Sequence, residues 1–333
     1  MVGFLRLARL ASRPPTRTPA TLKIGFVIHP GAPDMMDTLR GEVSKLRDEG
    51  HEVTARLTFE SGDAERFAGE MCGDRELVFS VGGDGTLNEV VNGIYRACTA
   101  DGGRPMPAVA VVPLGTGNDL ARAIGVPPRT APAIRAALEG ERVEVDVGMV
   151  NDRCFLNVSS GGLGAEATDE TSSEAKRALG RFAYLVTGVR KFVGLHPTRG
   201  HFTANGTLYE GPFLLFAVGN SRLSGAGNRL TPRASLVDGQ LDLCIVLEMQ
   251  RVDLLGLLPA LRSGEHLDHP RVLYTQVREL EIEADAEMGV NADGEPMRGR
   301  RFTYSVRKRQ LPLMVPPEPV GDAEPRDGLL GMG

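Results

Sequence analysis

The sequence predicts an α/β protein in which a doubly wound α/β domain is followed by a mostly antiparallel β-sandwich domain. Apolar runs with the length of strands alternate with amphipathic helical runs up to about residue 142, as in parallel sheets covered by helices. From about residue 143, strand-like runs follow one another with turn signals between them. A chain of 333 residues with 41% hydrophobic residues is also long and apolar enough for two cores.

The first domain is predicted to span residues 21–142. Its strands are expected at residues 22–28, 51–59, 77–81 and 108–112. The helices that follow them are expected at residues 34–50, from 61–63 onward, 87–98 and 120–124. Asp34 can cap the first of these helices and Gly50 can end it.

The second domain is predicted to span residues 143–306. Its strands are expected at residues 143–150, 154–159, 201–208, 213–219, 241–247 and 272–284. Two helices are expected to interrupt them, at residues 173–193 and 252–262. Because ligand sites often form between domains, we expect the active site in the cleft between these two.

The two ends of the chain differ from the rest in composition. Residues 1–20 contain four arginines and no acid, and we expect a disordered basic tail there. The alternative is a weak basic amphipathic anchor with Phe4, Leu5, Leu7 and Leu10 on its apolar side. For residues 307–333 we consider a return to the first domain, followed by a disordered tail.

The overall composition excludes several classes of protein. The formal net charge is −5 with acids and bases interspersed, so there is no basic field that would attract nucleic acid. No apolar run reaches the roughly 18 residues that a membrane-spanning helix needs. The four cysteines are scattered without a C-x-x-C pair, so we expect reduced, buried thiols of a cytoplasmic protein rather than disulfides or a zinc site.

A glycine-rich turn, Gly82-Gly83-Asp84-Gly85-Thr86, joins the buried strand 77–81 to the following helix. Free N–H groups and the dipole at a helix N-terminus favour anions, and glycine lets the backbone approach a ligand closely. The turn therefore predicts a phosphate cradle with an acid inside it. Turns of this kind are also glycine-rich for steric reasons, so on its own it leaves both interpretations open.

A second turn, Pro113 to Asp119, lies between the strand 108–112 and the helix that begins at residue 120. Neighbouring parallel strands would place both turns side by side at one edge of the sheet. Two adjacent turns rich in Gly, Thr and Asp favour nucleotide binding over a steric explanation.

The residues of these two turns resemble the diacylglycerol kinase catalytic-domain family, and most closely the bacterial YegS-like lipid kinases. Further stretches in the same order add to the resemblance, namely residues 58–64, 219–222, 238–241 and 293–296. The resemblance covers roughly residues 22–312. The Gly-Gly-Asp-Gly-Thr motif alone is shared with NAD kinases, whereas the ordered set is highly specific.

The resemblance implies that ATP is the phosphoryl donor and lies against the glycine-rich turn. The residues it assigns to the nucleotide are Thr58, Gly82, Gly83, Asp84, Gly85, Thr86, Leu87, Asn88, Glu89, Thr116, Asn118 and Asp119. Asp84 is expected to hold Mg²⁺ through water, because Mg²⁺ prefers oxygen ligands and keeps several waters. A turn-stabilising Asx bond is the alternative for Asp84. His29 stands where the family commonly has Asn.

The resemblance places the proton acceptor in Asp293-Gly294-Glu295-Pro296. Glu295 is the first choice and Asp293 the second, and the sequence does not separate them. A carboxyl group near unpaired backbone and apolar lipid would have a raised pKa, which suits a general base. Taken alone, these residues would also fit a solvated turn between two strands.

The resemblance also implies a second, structural Mg²⁺ site formed by the main-chain carbonyls of Ser235 and Gln240 and the carboxylate of Asp238. A hairpin turn without metal is the alternative. His266 and His269 have no third ligand nearby, and we expect both at the surface.

The helix near residues 173–194 combines apolar residues with the basic residues Lys176, Arg177, Arg181, Arg190 and Lys191. Core packing is the ordinary interpretation of this pattern. The alternative is attachment to an anionic membrane, where each basic residue adds about 1 kcal/mol.

Together these features predict an ATP- and Mg²⁺-dependent kinase that phosphorylates a hydroxyl group of a membrane lipid such as diacylglycerol or phosphatidylglycerol. We expect it in the cytoplasm, transiently attached to the inner membrane face, and consider a homodimer. The alternatives are an NAD kinase and a catalytically inactive nucleotide- or lipid-binding protein. Residues 116–119 and 293–296 argue against the first, and the intact acids Asp84, Asp293 and Glu295 argue against the second.

Overall fold

The computed structural model describes residues 21–31, 33–100, 103–162, 197–225, 227–318 and 329–330. Its N-terminal strands are β1 (Lys23–Ile28), β2 (Glu52–Leu57), β3 (Leu77–Gly82) and β4 (Ala108–Pro113). Its N-terminal helices are α1 (Pro33–Asp48), α2 (Asp63–Met71), α3 (Asp84–Thr99), α4 (Asp119–Ala123) and α5 (Thr130–Leu138). The alternation predicted for this half is confirmed, although α5 was not predicted.

The four N-terminal strands are parallel and lie in the order β4-β3-β1-β2. Every residue of β3 and β4 is buried, because central parallel strands are covered on both faces. The edge strand β2 is partly exposed along its length. This order brings the ends of β3 and β4 together in the middle of the sheet, where the two glycine-rich turns begin.

The C-terminal half is built mainly of antiparallel strands. They are β5 (Glu141–Val150), β6 (Arg153–Phe155), β7 (Val158–Gly161), β8 (Thr198–Thr203), β9 (Thr207–Gly219), β10 (Leu241–Leu247), β11 (Val272–Val277), β12 (Glu279–Ala292) and β13 (Glu295–Val315). Helix α6 (Arg251–Ser263) follows β10. The predicted change from parallel to antiparallel organisation is therefore confirmed.

Three predicted strands are wrong in their limits. The strand expected at 201–208 is two strands, because Asn205 and Gly206 adopt positive φ angles of 53° and 115° and form a turn between β8 and β9. The strands expected at 154–159 and 272–284 are likewise each divided in two. The helix expected at 173–193 lies outside the described residues.

Strand β13 was not predicted, and it connects the two halves. It pairs antiparallel with β12 and β5 and parallel with β4 through Leu313 and Val109. Many of its residues are charged and exposed, which hides the strand from a search for apolar runs. Through β13, the sheet continues from the C-terminal strands to the edge of the N-terminal ones.

Each half of the protein is built around its own apolar cluster. The N-terminal cluster includes the stacked rings of Phe26 and Phe79, whose centroids are 4.6 Å apart. A C-terminal cluster contains the edge-to-face rings of Phe202, Phe213 and Phe216. No helix in the described parts of the chain is both long and apolar enough to cross a membrane.

Two expectations are wrong, one about the cysteines and one about His266. Cys72 and Cys98 form a disulfide between the ends of α2 and α3, with their Cα atoms 6.0 Å apart, whereas Cys154 and Cys244 are free and buried as expected. His266 is completely buried rather than at the surface. In the interior, each of its two ring nitrogens lies 3.2 Å from a backbone carbonyl oxygen.

Candidate active site

The two glycine-rich turns lie side by side, as predicted. Gly82 and Pro113 are paired at the ends of β3 and β4, and the N–H of Leu114 donates a 2.8 Å hydrogen bond to the carbonyl of Gly82. A Cβ atom on Gly115 would lie 2.7 Å from the Cα of Gly83. The two backbones can approach this closely only because both positions are glycine.

Helix α3 begins at Asp84, three residues earlier than predicted, directly after the extended residue Gly83. No side chain caps this N-terminus. The N–H groups of its first turn therefore form a site for an anion at the carboxyl ends of the central strands. Thr86 packs back against Gly82, where a Cβ atom would collide with its side chain. Leu87 is buried in the N-terminal core, so only its backbone can take part in the cradle.

The carboxyl groups of Asp84 and Asp119 lie behind the turns, and their charges interact with that of Asp293. Asp84 accepts a hydrogen bond from the N–H of Asp119, and Asp119 in turn accepts one of 2.9 Å from the N–H of Gly227. Burial, together with the charges of Asp119 and Asp293, raises the pKa of Asp84 to about 7. A cation would relieve this repulsion, and Asp84 and Asp119 are the two acids that would hold, through water, the Mg²⁺ that accompanies a nucleotide.

Asn118 shapes the second turn. It adopts a left-handed conformation with φ 50°, and its side chain both accepts from the N–H and donates to the carbonyl of Gly115, at 3.0 and 2.6 Å. Thr116 is exposed within the turn that these bonds close. A nucleotide contact through the hydroxyl of Thr116 stays a prediction.

Three other residues assigned to the nucleotide bond to protein groups. The side chain of Asn88 donates 3.0 Å to the carbonyl of Cys154, which fastens α3 to β6. Glu89 accepts hydrogen bonds from two backbone N–H groups at the start of α2, at 3.1 and 3.2 Å. The hydroxyl of Thr58 donates to the carbonyl of Ile28 and lies 3.5 Å from the ring of His29. For all three, a contact with the nucleotide stays a prediction.

Asp293 occupies the two-residue turn between β12 and β13, with φ 48° followed by φ 99° at Gly294. Its carboxylate accepts hydrogen bonds of 2.6, 3.0 and 3.1 Å from the N–H groups of Leu156, Asn157 and Val158. Burial raises the pKa of Asp293 to about 6, even though the three hydrogen bonds lower it. The side chain is therefore a buried connection to residues 156–158 and not part of a solvated turn.

Glu295, the first residue of β13, has a different environment. Its side chain lines a small cavity together with Asn88, Arg153, Cys154, Ala292, Pro296 and Met297. Burial and the neighbouring carboxylate of Glu89 raise the pKa of Glu295, whereas Arg153 lowers it. Of the two candidate proton acceptors, only Glu295 lines this cavity.

The predicted structural metal site lies in the turn before β10. Asp238 accepts hydrogen bonds from the N–H of Gln240 at 2.9 Å and from the side chain of Gln276 at 3.1 Å. Burial raises the pKa values of the neighbouring Asp146 and Asp242, and the charge of Asp238 adds to both increases. This oxygen-rich, negative environment fits Mg²⁺. No group of three or more His, Cys, Asp or Glu side chains within the described ranges is arranged to hold a metal by itself.

Sequence reasoning missed Asn92 and Arg153. Asn92 is buried and binds both backbone groups of Cys154, accepting from its N–H at 2.9 Å and donating to its carbonyl at 3.1 Å. Its position four residues after Asn88, on a helical face that is otherwise apolar, could have indicated a buried polar contact. For Arg153 the sequence carries no such signal, because its place beside Glu295 depends on contacts with distant elements.

Comparison with known proteins finds matches to both halves of the chain. The model of the diacylglycerol kinase catalytic domain matches residues 24–150, and that of the YegS C-terminal NAD kinase beta sandwich-like domain matches residues 157–315. A "Probable lipid kinase YegS-like" of Pseudomonas aeruginosa (strain UCBPP-PA14) is 37% identical over 295 residues, which are 88% of this chain and 94% of that protein. A "Probable lipid kinase YegS" of Salmonella typhimurium is 36% identical over 284 residues, 84% of this chain and 92% of that protein.

A solved structure shares the fold. It is described as "Crystal structure of a putative diacylglycerol kinase from Bacillus anthracis str. Sterne", and it aligns with a TM-score of 0.80 over 92% of this chain and 100% of that one. The sequence identity of 23% limits this likeness to the fold.

Proposed function

This chain belongs to the YegS-like lipid kinase family, and on that premise we propose that it transfers the γ-phosphoryl group of ATP to a hydroxyl group of a membrane lipid. One observation carries the proposal. The uncapped start of α3 and the adjoining turn at Gly115 form an anion site, and α3 also supplies Asn88 to the lining of the cavity that contains Glu295.

The donor side follows from the two turns. The N–H groups of Gly85 and Thr86 hold phosphate oxygens, because the start of a helix favours negative charge. Asp84 and Asp119 would hold the metal through water. When bound, Mg²⁺ neutralises part of the phosphate charge that builds up during transfer.

The acceptor side follows from the β12–β13 hairpin. Glu295 accepts the proton of the lipid hydroxyl while that oxygen bonds to the γ-phosphorus and the bond from phosphorus to the leaving ADP oxygen breaks. Asp293 holds the hairpin against residues 156–158 and thereby fixes the position of Glu295. The carboxyl groups of the two residues have separate roles.

We also propose where the protein works. The chain acts in the cytoplasm. Because its acceptor lies in a bilayer, it attaches transiently to the inner membrane face. The turn of Ser235, Asp238 and Gln240 would hold a second Mg²⁺, which would stabilise the start of β10. The two functional units are residues 21–142 and 143–306, and the protein acts as a monomer or a homodimer.

The full chain with labelled ATP and Mg²⁺ provides the test. One reaction contains vesicles of total bacterial lipid extract and the other contains NAD, and the products are resolved by mass. We expect labelled lipid, no labelled NAD, and no labelled lipid with Glu295→Gln. Labelled NAD would establish the rival kinase activity, and ATP binding without any labelled product would favour the inactive alternative.

A further inference from the structure

Arg153 begins strand β6 and lines the same small cavity as Glu295. Its guanidinium lies 3.3 Å from Glu65 of α2, and Glu65 also pairs with Arg96 of α3. Arg153 is 40% exposed, so it keeps contact with the cavity and with solvent. The side chain is thus fixed by Glu65, and it lines the same cavity as the candidate proton acceptor.

The position of Glu65 is itself fixed by the close packing of α2 on α3. A Cβ atom on Gly93 would collide with the backbone carbonyl of Glu65, so the two helices can approach this closely only because residue 93 is glycine. Four residues earlier on α3, Glu89 binds the N–H groups of Gly62 and Ala64 and holds the start of α2. These contacts hold the partner of Arg153 in place before any substrate binds.

The charges around Glu295 have opposing effects. Burial raises the pKa of Glu295, and the negative charges of Glu89 on α3 and Glu65 on α2 raise it as well. Arg153 lowers it. The phosphates of ATP would bring further negative charge to the same place. A general base must be ionised before it can accept a proton, so a positive charge is needed to oppose these effects.

We propose that Arg153 is a positioning residue that keeps the carboxylate of Glu295 ionised and ready to accept the proton of the acceptor hydroxyl. The proposal rests on the proposed function, because it assumes that Glu295 is the proton acceptor. It assigns to Arg153 an electrostatic effect on Glu295 and no contact with the lipid.

The test measures kcat between pH 5 and 9 for the wild type, Arg153→Met and Arg153→Lys, with saturating Mg-ATP and vesicles of total bacterial lipid extract. Arg153→Met keeps a long side chain without its charge, and we expect it to move the acid limb of the profile upward by about one pH unit. The kcat of Arg153→Met should then be about tenfold lower than that of the wild type at pH values below the limb, and equal to it at pH values above the limb. Arg153→Lys should keep the wild-type limb, because it keeps the charge.

Arg142→Met is the matched control. Arg142 pairs with Glu144 on the surface, and its replacement should leave the profile unchanged. An equal loss at every pH in Arg153→Met would indicate a merely structural role, and a raised KM for lipid with an unmoved limb would indicate contact with the lipid. Either result would overturn the proposal.

A titration without substrate separates this proposal from the proposed function. The ¹³C carboxyl resonance of Glu295, assigned by its absence in Glu295→Gln, is followed against pH in the full chain. We expect its midpoint to rise by about one pH unit in Arg153→Met. A wild-type chain that labels no lipid would reject the proposed function, whereas an unmoved midpoint would reject the role of Arg153 alone.

Discussion

Asp84 Oδ1 accepts a 2.8 Å hydrogen bond from the backbone N–H of Asp119. The acid of the first glycine-rich turn therefore holds the first residue of the helix that follows the second turn. Because this part-buried contact joins residues 35 positions apart, Asp84 connects the two halves of the proposed nucleotide site in addition to its proposed role toward the metal.

Asp84→Asn should separate these two roles. The amide oxygen can still accept from the N–H of Asp119, while the negative charge is lost. We expect kcat to fall by about 10²–10³, the range seen when one electrostatic contact to the transition state is removed. Circular dichroism and the midpoint of thermal unfolding should stay close to wild type. Asp34→Asn, at an exposed acid on α1, is the control and should keep full activity. Wild-type kcat in Asp84→Asn would refute the assignment.

Asp293→Ala should destabilise the fold. The substitution leaves three buried N–H groups of residues 156–158 without their acceptor, and each such group costs about 1–3 kcal/mol. We expect the free energy of unfolding, measured in urea, to decrease by about 3 kcal/mol or more. The control is Asp285→Ala, an exposed acid on the same hairpin, which should change stability by less than about 0.5 kcal/mol. Equal stabilities of the two variants would contradict the structural role of Asp293.

Gly115→Ala should push the two turns apart. Its new Cβ atom would lie 2.7 Å from the backbone of Gly83, which has no side chain that could move away. We expect ATP binding, measured by calorimetry with the full chain, to weaken by at least about tenfold, because the cradle depends on backbone positions. Gly256→Ala on α6 is the control, since nothing lies within 4 Å of that position. It should bind ATP like the wild type and be more stable by about 0.5–1 kcal/mol.

The pH dependence of activity should reveal the state of Glu295. Burial and the charge of Glu89 raise its pKa above the ordinary glutamate value of 4.5. Below its pKa, Glu295 is protonated and cannot accept another proton, so activity is present above that pKa and is lost as the pH falls through it. We expect the acid limb of kcat in the wild type to lie above pH 4.5. A limb at or below that value would contradict the environment described for this side chain.

Sequence reasoning predicted the elements that depend on local patterns. The run Leu77–Val81 and the glycines after it indicate a buried strand and an anion site, because both depend on residues that are close in the chain. Strand β13 was missed because its charged residues break the apolar pattern, although its pairing with β5 and β12 fixes it in the sheet. The burial of His266 was missed for a related reason, since its carbonyl partners come from α6 and from residue 230.

The sequence by itself determined the alternation of strands and helices, the two glycine-rich turns and the pair of acids at residues 293 and 295. Only the tertiary structure decided the environments of those two acids. The N–H groups that bind Asp293 lie 135–137 positions earlier in the chain, and Arg153 and Glu89 reach Glu295 from different elements. A sequence motif fixes which groups are present, but burial and distant charges fix which of them can accept a proton, and these arise only when the chain has folded.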